Sequence, residues 1–134
     1  MFTLEGRNSF SQMLLTGKSY LGKQILSSDN LNLITKNHLD PELFPLEIST
    51  FDQEDTDDNE FEPYGWGLGF RVMMYLEKAN GIGQIGEFGW SGAASTYFLV
   101  DRENELTAVL MTQVLGGDNS LRKDFVKFIY DQIK

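Results

Sequence analysis

From Trp66 to Glu77 the chain alternates. Trp66, Leu68, Phe70, Val72, Met74 and Leu76 fall on one parity, and Gly67, Gly69, Arg71, Met73, Tyr75 and Glu77 on the other. A period of two puts each set on one face of an extended strand, which a helix of period 3.6 cannot do. The stretch predicts one long strand with a largely apolar face and commits the second half of the chain to a sheet. Asn80-Gly81 then predicts a tight hairpin turn, because both residues tolerate positive φ. Residues 84–90 are the expected returning strand. Residues 95–101 and 106–113 predict a second hairpin across Arg102, Glu103 and Asn104. Its final strand, LTAVLMTQ, is apolar on both parities, which predicts a central strand covered on both faces.

Helical spacing frames this sheet. Phe10, Met13 and Leu14 predict a helix over 8–16, stopped by Gly17. Ser27, Ser28 and Asp29 are N-cap candidates for a second helix carrying Leu31 and Ile34, since their side-chain oxygens can accept from unpaired backbone N–H groups. Pro41 and Pro45 bracket a non-helical stretch. Leu121, Phe125, Phe128, Ile129 and Ile133 form one stripe of a final helix over 120–133. Two helices, a meander of about four strands and a last helix make an α+β pattern with an antiparallel sheet.

With 134 residues, the chain is long enough to bury a core without disulfides or a structural metal, and residues 1–134 are expected to form a single domain. There is no cysteine, which excludes thiol catalysis, zinc–thiolate sites and iron–sulfur clusters. The net charge of −9 argues against partners that are themselves polyanions, whether nucleic acid or an anionic membrane surface. No apolar run approaches the roughly 20 residues of a membrane span. No signal peptide is visible at Met1-Phe2-Thr3-Leu4-Glu5, so the cytoplasm is the default expectation. Residues 52–62 hold seven of the twenty acidic residues and few apolar ones. The segment 50–63 is therefore expected to be a mobile acidic surface loop.

Two segments carry a resemblance: Tyr64-Gly65-Trp66-Gly67-Leu68-Gly69-Phe70, and Gly89-Trp90-Ser91-Gly92-Ala93-Ala94-Ser95-Thr96. They resemble the C-terminal portion of the serine β-lactamase-like hydrolases, a family of class C β-lactamases, DD-peptidase penicillin-binding proteins and related esterases. The similarity runs over nearly the whole chain. Phe10 to Leu15 is similar to the helix after the family's second motif, and Ile25-Leu26-Ser27 leading to Asn37-His38-Leu39 to the next helix. Val100-Asp101 and Leu110 to Gln113 are similar to the two strands after the third motif. The resemblance implies part of a β-lactamase/transpeptidase-like fold and an acyl-transfer site that needs no cofactor.

Members of that family attack a carbonyl with the serine of a Ser-x-x-K motif, aided by Tyr-x-Asn or Ser-Asp-Asn. A K-T-G or H-T-G strand forms the other wall, and the amide after it helps bind the oxyanion. The resemblance assigns the third-motif wall to Trp90, Ser91 and Gly92 and the oxyanion-hole amide to Ala93. Tryptophan in place of Lys or His is similar to the esterase-like branches and removes a cation that would hold a substrate carboxylate. Spacing alone reads the same residues as a packed indole and a strand bulge.

The other two motifs have only literal echoes. Ser120-Leu121-Arg122-Lys123 and Ser28-Asp29-Asn30 each sit at an expected helix start, where such residues serve as caps, and their order along the chain is wrong for the family. No Tyr-x-Asn occurs. The sequence thus reads as a catalytically incomplete portion of such a hydrolase, its missing half supplied by another chain. The other readings are a binding module and a self-associating structural module. A sheet edge left uncovered by that half predicts a homo-oligomer. Asp55-x-Asp57-x-Asn59 begins a calcium-loop pattern, but Glu60 and Trp66 stand where glycine and glutamate are required. His38, the one histidine, reads as structural, and Gly81-x-Gly83-x-x-Gly86 opens a strand rather than the helix a dinucleotide site needs. No metal site is expected.

Overall fold

A computed structural model describes residues 3–44, 61–115 and 120–133. The elements run α1 (Leu4–Thr16), α2 (Ser28–Thr35), β1 (Tyr64–Trp66), β2 (Arg71–Met73), β3 (Phe88–Ser91), β4 (Tyr97–Asp101), β5 (Leu106–Leu110) and α3 (Ser120–Asp131). Short 3-10 turns occupy Pro41–Leu43 and Leu76–Ala79. The fold is α+β, built on one antiparallel sheet whose spatial order β1-β2-β3-β4-β5 follows the sequence. The sheet has five strands rather than the expected number of about four.

Local chemistry sets the helix ends. The Thr3 hydroxyl accepts from the Gly6 N–H at 3.1 Å, so α1 begins four residues before the expected Asn8. Gly17 closes it in the left-handed region, φ 76°, and its N–H donates to Met13. Ser27 caps α2 by accepting from Asn30. Each cap satisfies a backbone donor or acceptor that the helix itself leaves open.

The single long strand expected over 66–77 is instead a hairpin. Trp66 pairs with Arg71, and residues 67–70 turn, with the Gly67 N–H donating to the Phe70 carbonyl at 2.8 Å. The glycines that seemed to continue the alternation are what bend the chain. Gly69 sits at φ 107°, and a Cβ at Gly67 would lie 2.4 Å from the Ile34 carbonyl oxygen. Asn80 and Gly81 do have positive φ, but they end the 3-10 turn instead of forming a two-residue hairpin. Gly81 N–H bonds Leu76 at 2.9 Å, and the returning strand starts only at Phe88.

The sheet lies between helices. On one face Leu14 of α1 packs with Val72, Phe88, Phe98 and Val100, supported by Ile34 of α2. On the other face Val126 and Tyr130 of α3 pack with Tyr97, Leu99 and Ala108. All five residues of β4 are consequently buried. That corrects the reading of the last strand. β5 is covered on both faces, by α1 and α3, yet stands at the sheet edge. Apolar residues on both parities report cover on two faces and carry no information about hydrogen-bond neighbours. The stripe expected on α3 holds only at Phe125 and Ile129, which pack against the Tyr97 cluster. Val126 and Tyr130 are the buried residues of the helix, whereas Leu121, Phe128 and Ile133 are exposed.

Most of the acidic segment 50–63 lies outside the described residues. At its end Phe61 is buried, Glu62 pairs with Lys78 at 2.7 Å, and Pro63 is buried. No helix among the described residues is long and apolar enough to cross a membrane.

Candidate functional site

The residues singled out from sequence meet at the end of β3 and the turn into β4. Strand pairing sets Trp90 opposite Phe98 and Ser91 opposite Tyr97. The backbones approach closely here because Gly89 has no side chain: a Cβ there would lie 2.0 Å from the Phe98 carbonyl oxygen. The Trp90 ring stands edge-on to Trp66 at 4.9 Å and lies 6.3 Å from Phe61. These aromatic contacts fix one side of the Trp90 indole while leaving it partly open to solvent. They also explain why the Tyr64-Gly65-Trp66 segment belongs to the same region as the Trp90 strand.

Gly92 continues the pairing, its N–H donating to the Thr96 carbonyl at 2.8 Å, and a Cβ at Gly92 would meet Thr96 Oγ1 at 2.5 Å. The turn is tied to the chain after β5. Thr112 Oγ1 donates to the Ala94 carbonyl at 2.6 Å, and Ser95 Oγ donates to the Val114 carbonyl at 2.9 Å. Ser95 takes φ 56°, the left-handed region. Ala93 is exposed at the tip of this braced turn. Among the described residues no acceptor takes its N–H. The arrangement can present a fixed amide donor to a carbonyl oxygen. It holds no activated nucleophile: among the described residues no base hydrogen-bonds Ser91, and neither tryptophan nor glycine can move a proton.

The remaining sequence candidates lie elsewhere. Ser28-Asp29-Asn30 opens α2, where the Ser27 hydroxyl accepts from Asn30 at 3.2 Å. Ser120 is the first residue inside α3; the residues before it lie outside the described ones. His38 bonds through Nε2 to the Leu33 carbonyl at 2.7 Å, and its N–H donates to Trp66 at 2.8 Å, a structural use of the ring and backbone. Gly81, Gly83 and Gly86 shape the loop leading to β3, all with positive φ. Asp55, Asp57 and Asn59 lie outside the described residues. Among those described, no cluster of three or more carboxylate and imidazole groups could hold a metal ion.

Sequence reasoning missed a second polar constellation on the α3 face. Arg71, Glu87, Asp101 and Tyr130 are all buried there. The Arg71 guanidinium lies over the Tyr64 ring at 4.3 Å and the Tyr97 ring at 4.9 Å. The Tyr130 hydroxyl meets Glu87 Oε2, and Asp101 Oδ2 at 2.9 Å. Burial raises the Glu87 carboxyl to about 7, against the pull of Tyr130 and Arg71. Burial likewise raises the Tyr64, Tyr97 and Tyr130 hydroxyls above the ordinary phenol value. The one available signal was a lone Arg within an apolar alternation and a lone Glu beside Phe88.

An open cleft of about 480 Å³ lies at the opposite end of the strands from Trp90, between α2 and the turns after β2 and β4. Asn32, Lys36, Asn37, Met74 and Arg102 are among its lining residues, and Arg102 reaches across to Asn32 at 2.7 Å.

No family model matches the chain, and no curated protein matches it.

Proposed function

We propose that this chain is the substrate-side wall of a serine β-lactamase-like hydrolase acting on ester or amide acyl substrates, with no nucleophile of its own. One observation carries the reading. Strand β3 ends in Trp90 and Ser91, Gly92 follows, and the next turn, braced by Thr112 and Ser95, holds Ala93 exposed with no acceptor for its N–H among the described residues. In this role Ser91 offers a hydroxyl to the substrate, Gly92 lets the backbone come close, and Ala93 N–H binds the developing oxyanion. The Trp90 indole replaces a cation and favours uncharged acyl groups over carboxylate-bearing ones. The nucleophilic serine and its lysine come from another polypeptide segment. A serine-reactive fluorophosphonate or a fluorescent β-lactam tests this directly: the purified chain stays unlabelled. Covalent label on Ser120 or Ser28 overturns the reading.

A specific observation also favours a second reading, a self-associating module derived from the same family. Among the described residues β5 is an edge strand, and next to it Met111, Val114 and Leu115 are exposed. An open edge flanked by apolar side chains pairs readily with another chain. The two readings are compatible, since the surface that would receive a missing half can also receive a second copy.

A further inference from the structure

The Tyr130 hydroxyl touches two carboxyl groups and has one proton to give. It lies within hydrogen-bonding reach of Glu87 Oε2 and of Asp101 Oδ2. A phenol donates once, and a carboxylate can only accept. If both carboxyls were ionised, one of the two contacts would set oxygen lone pairs against each other in a buried site. One carboxyl must therefore supply the second proton.

The surroundings say which. Asp101 already accepts from the Glu103 N–H at 3.0 Å, the Asn104 N–H at 3.1 Å and Asn104 Nδ2 at 2.7 Å. A carboxyl facing three N–H donors is the accepting partner. Glu87 receives one long backbone bond, from Gln84 N–H at 3.3 Å, and its Oε1 is buried with no partner among the described residues. Glu87 is only 2 % exposed.

We propose that Glu87, Tyr130 and Asp101 form a proton-dependent latch between the sheet and α3: neutral Glu87 donates to the Tyr130 oxygen, Tyr130 donates to Asp101, and loss of the Glu87 proton to solvent loosens α3. The charged groups facing Glu87 act in both directions. Arg71 from β2 favours the ionised form and Asp101 from β4 opposes it. Arg122, in the first turn of α3, sits over the Tyr97 ring at 5.8 Å. Tyr64 of β1 and Tyr97 of β4 remain neutral phenols. The Tyr130 hydroxyl and Arg71 both favour the ionised form, but burial outweighs them and holds the Glu87 carboxyl at about 7, above its ordinary 4.5.

A carboxyl raised on folding binds its proton more tightly in the native state. Its contribution is complete below the ordinary value and is lost as pH rises through the folded value. The latch is thus closed in mild acid and opens across neutrality. It is independent of any hydrolase role.

Amide hydrogen exchange of α3 across pH 5 to 8, corrected for intrinsic exchange, is the test. The opening constant of α3 should rise with pH by up to about tenfold per unit over this window and level off above neutrality. Glu87→Gln keeps a side-chain donor to Tyr130 and should flatten the profile. A flat wild-type profile, or an unchanged slope in Glu87→Gln, overturns the proposal. Should that variant not fold, carbon-13 NMR of the Glu87 carboxyl in the wild-type chain decides. Titration near neutrality supports the latch, and titration in the ordinary carboxylate range overturns it.

Discussion

Gly89 shows how a single position can govern the candidate site. Its missing side chain lets β3 and β4 approach until the Phe98 carbonyl oxygen occupies the place of a Cβ, 2.0 Å away. The neighbouring atoms are backbone, from Phe98 and Leu99, so they cannot swing aside. Gly89→Ala is expected to cost about 3 kcal/mol in urea denaturation, in the upper part of the overpacking range. A loss below about 0.5 kcal/mol would mean the strands part without penalty. Tyr130 acts at the same scale. Tyr130→Phe removes a buried hydroxyl and leaves Glu87 and Asp101 without it, with an expected loss of about 1–3 kcal/mol. The loss should grow smaller as pH rises through neutrality, because ionised Glu87 has already forfeited its part of the chain of hydrogen bonds. A loss independent of pH would separate Tyr130 from Glu87.

Elements differ in how much of them is local. The helices rest on caps, and caps are readable: Ser27→Ala should destabilise the chain by about 1 kcal/mol through the lost bond to Asn30, seen as a lowered urea midpoint. No change in the midpoint would show that α2 is held by Leu31 packing alone. The starts of α2 and α3 and the β4–β5 hairpin were legible because each depends on residues within a few positions, whereas the Thr3 cap that starts α1 four residues early was missed. The 67–70 turn was not legible, since Gly67 is required by contact with Ile34, thirty-three residues earlier in the numbering. Alternation through glycine mimicked a strand. The edge position of β5 was hidden for a related reason: side-chain pattern reports cover by α1 and α3, not which backbone lies alongside. The close approach of Trp90, Ser91 and Gly92 to the turn into β4 follows from neighbouring residues, Gly89 and Gly92. The Glu87–Tyr130–Asp101 group was not legible, because its members are 43 and 29 residues from Tyr130 and only the packing of α3 unites them.

At the scale of the whole molecule, two surfaces carry the proposed roles. One is the β5 edge with Met111, Val114 and Leu115 exposed beside it. Self-association through this surface should appear as a dimer or larger species in sedimentation at tens of micromolar, and Leu115→Lys should shift it toward monomer. A monomer in the wild-type chain at that concentration would remove the self-associating reading. The other is the Trp90, Ser91 and Gly92 segment, proposed above as a substrate-side wall that offers an amide donor and no nucleophile. The most direct test of that account is hydrolysis of a chromogenic ester and a chromogenic β-lactam by the purified chain. No turnover above buffer is expected, for the wild-type chain and for Ser91→Ala alike. Turnover well above buffer that disappears in Ser120→Ala would place a working nucleophile in this chain and contradict it.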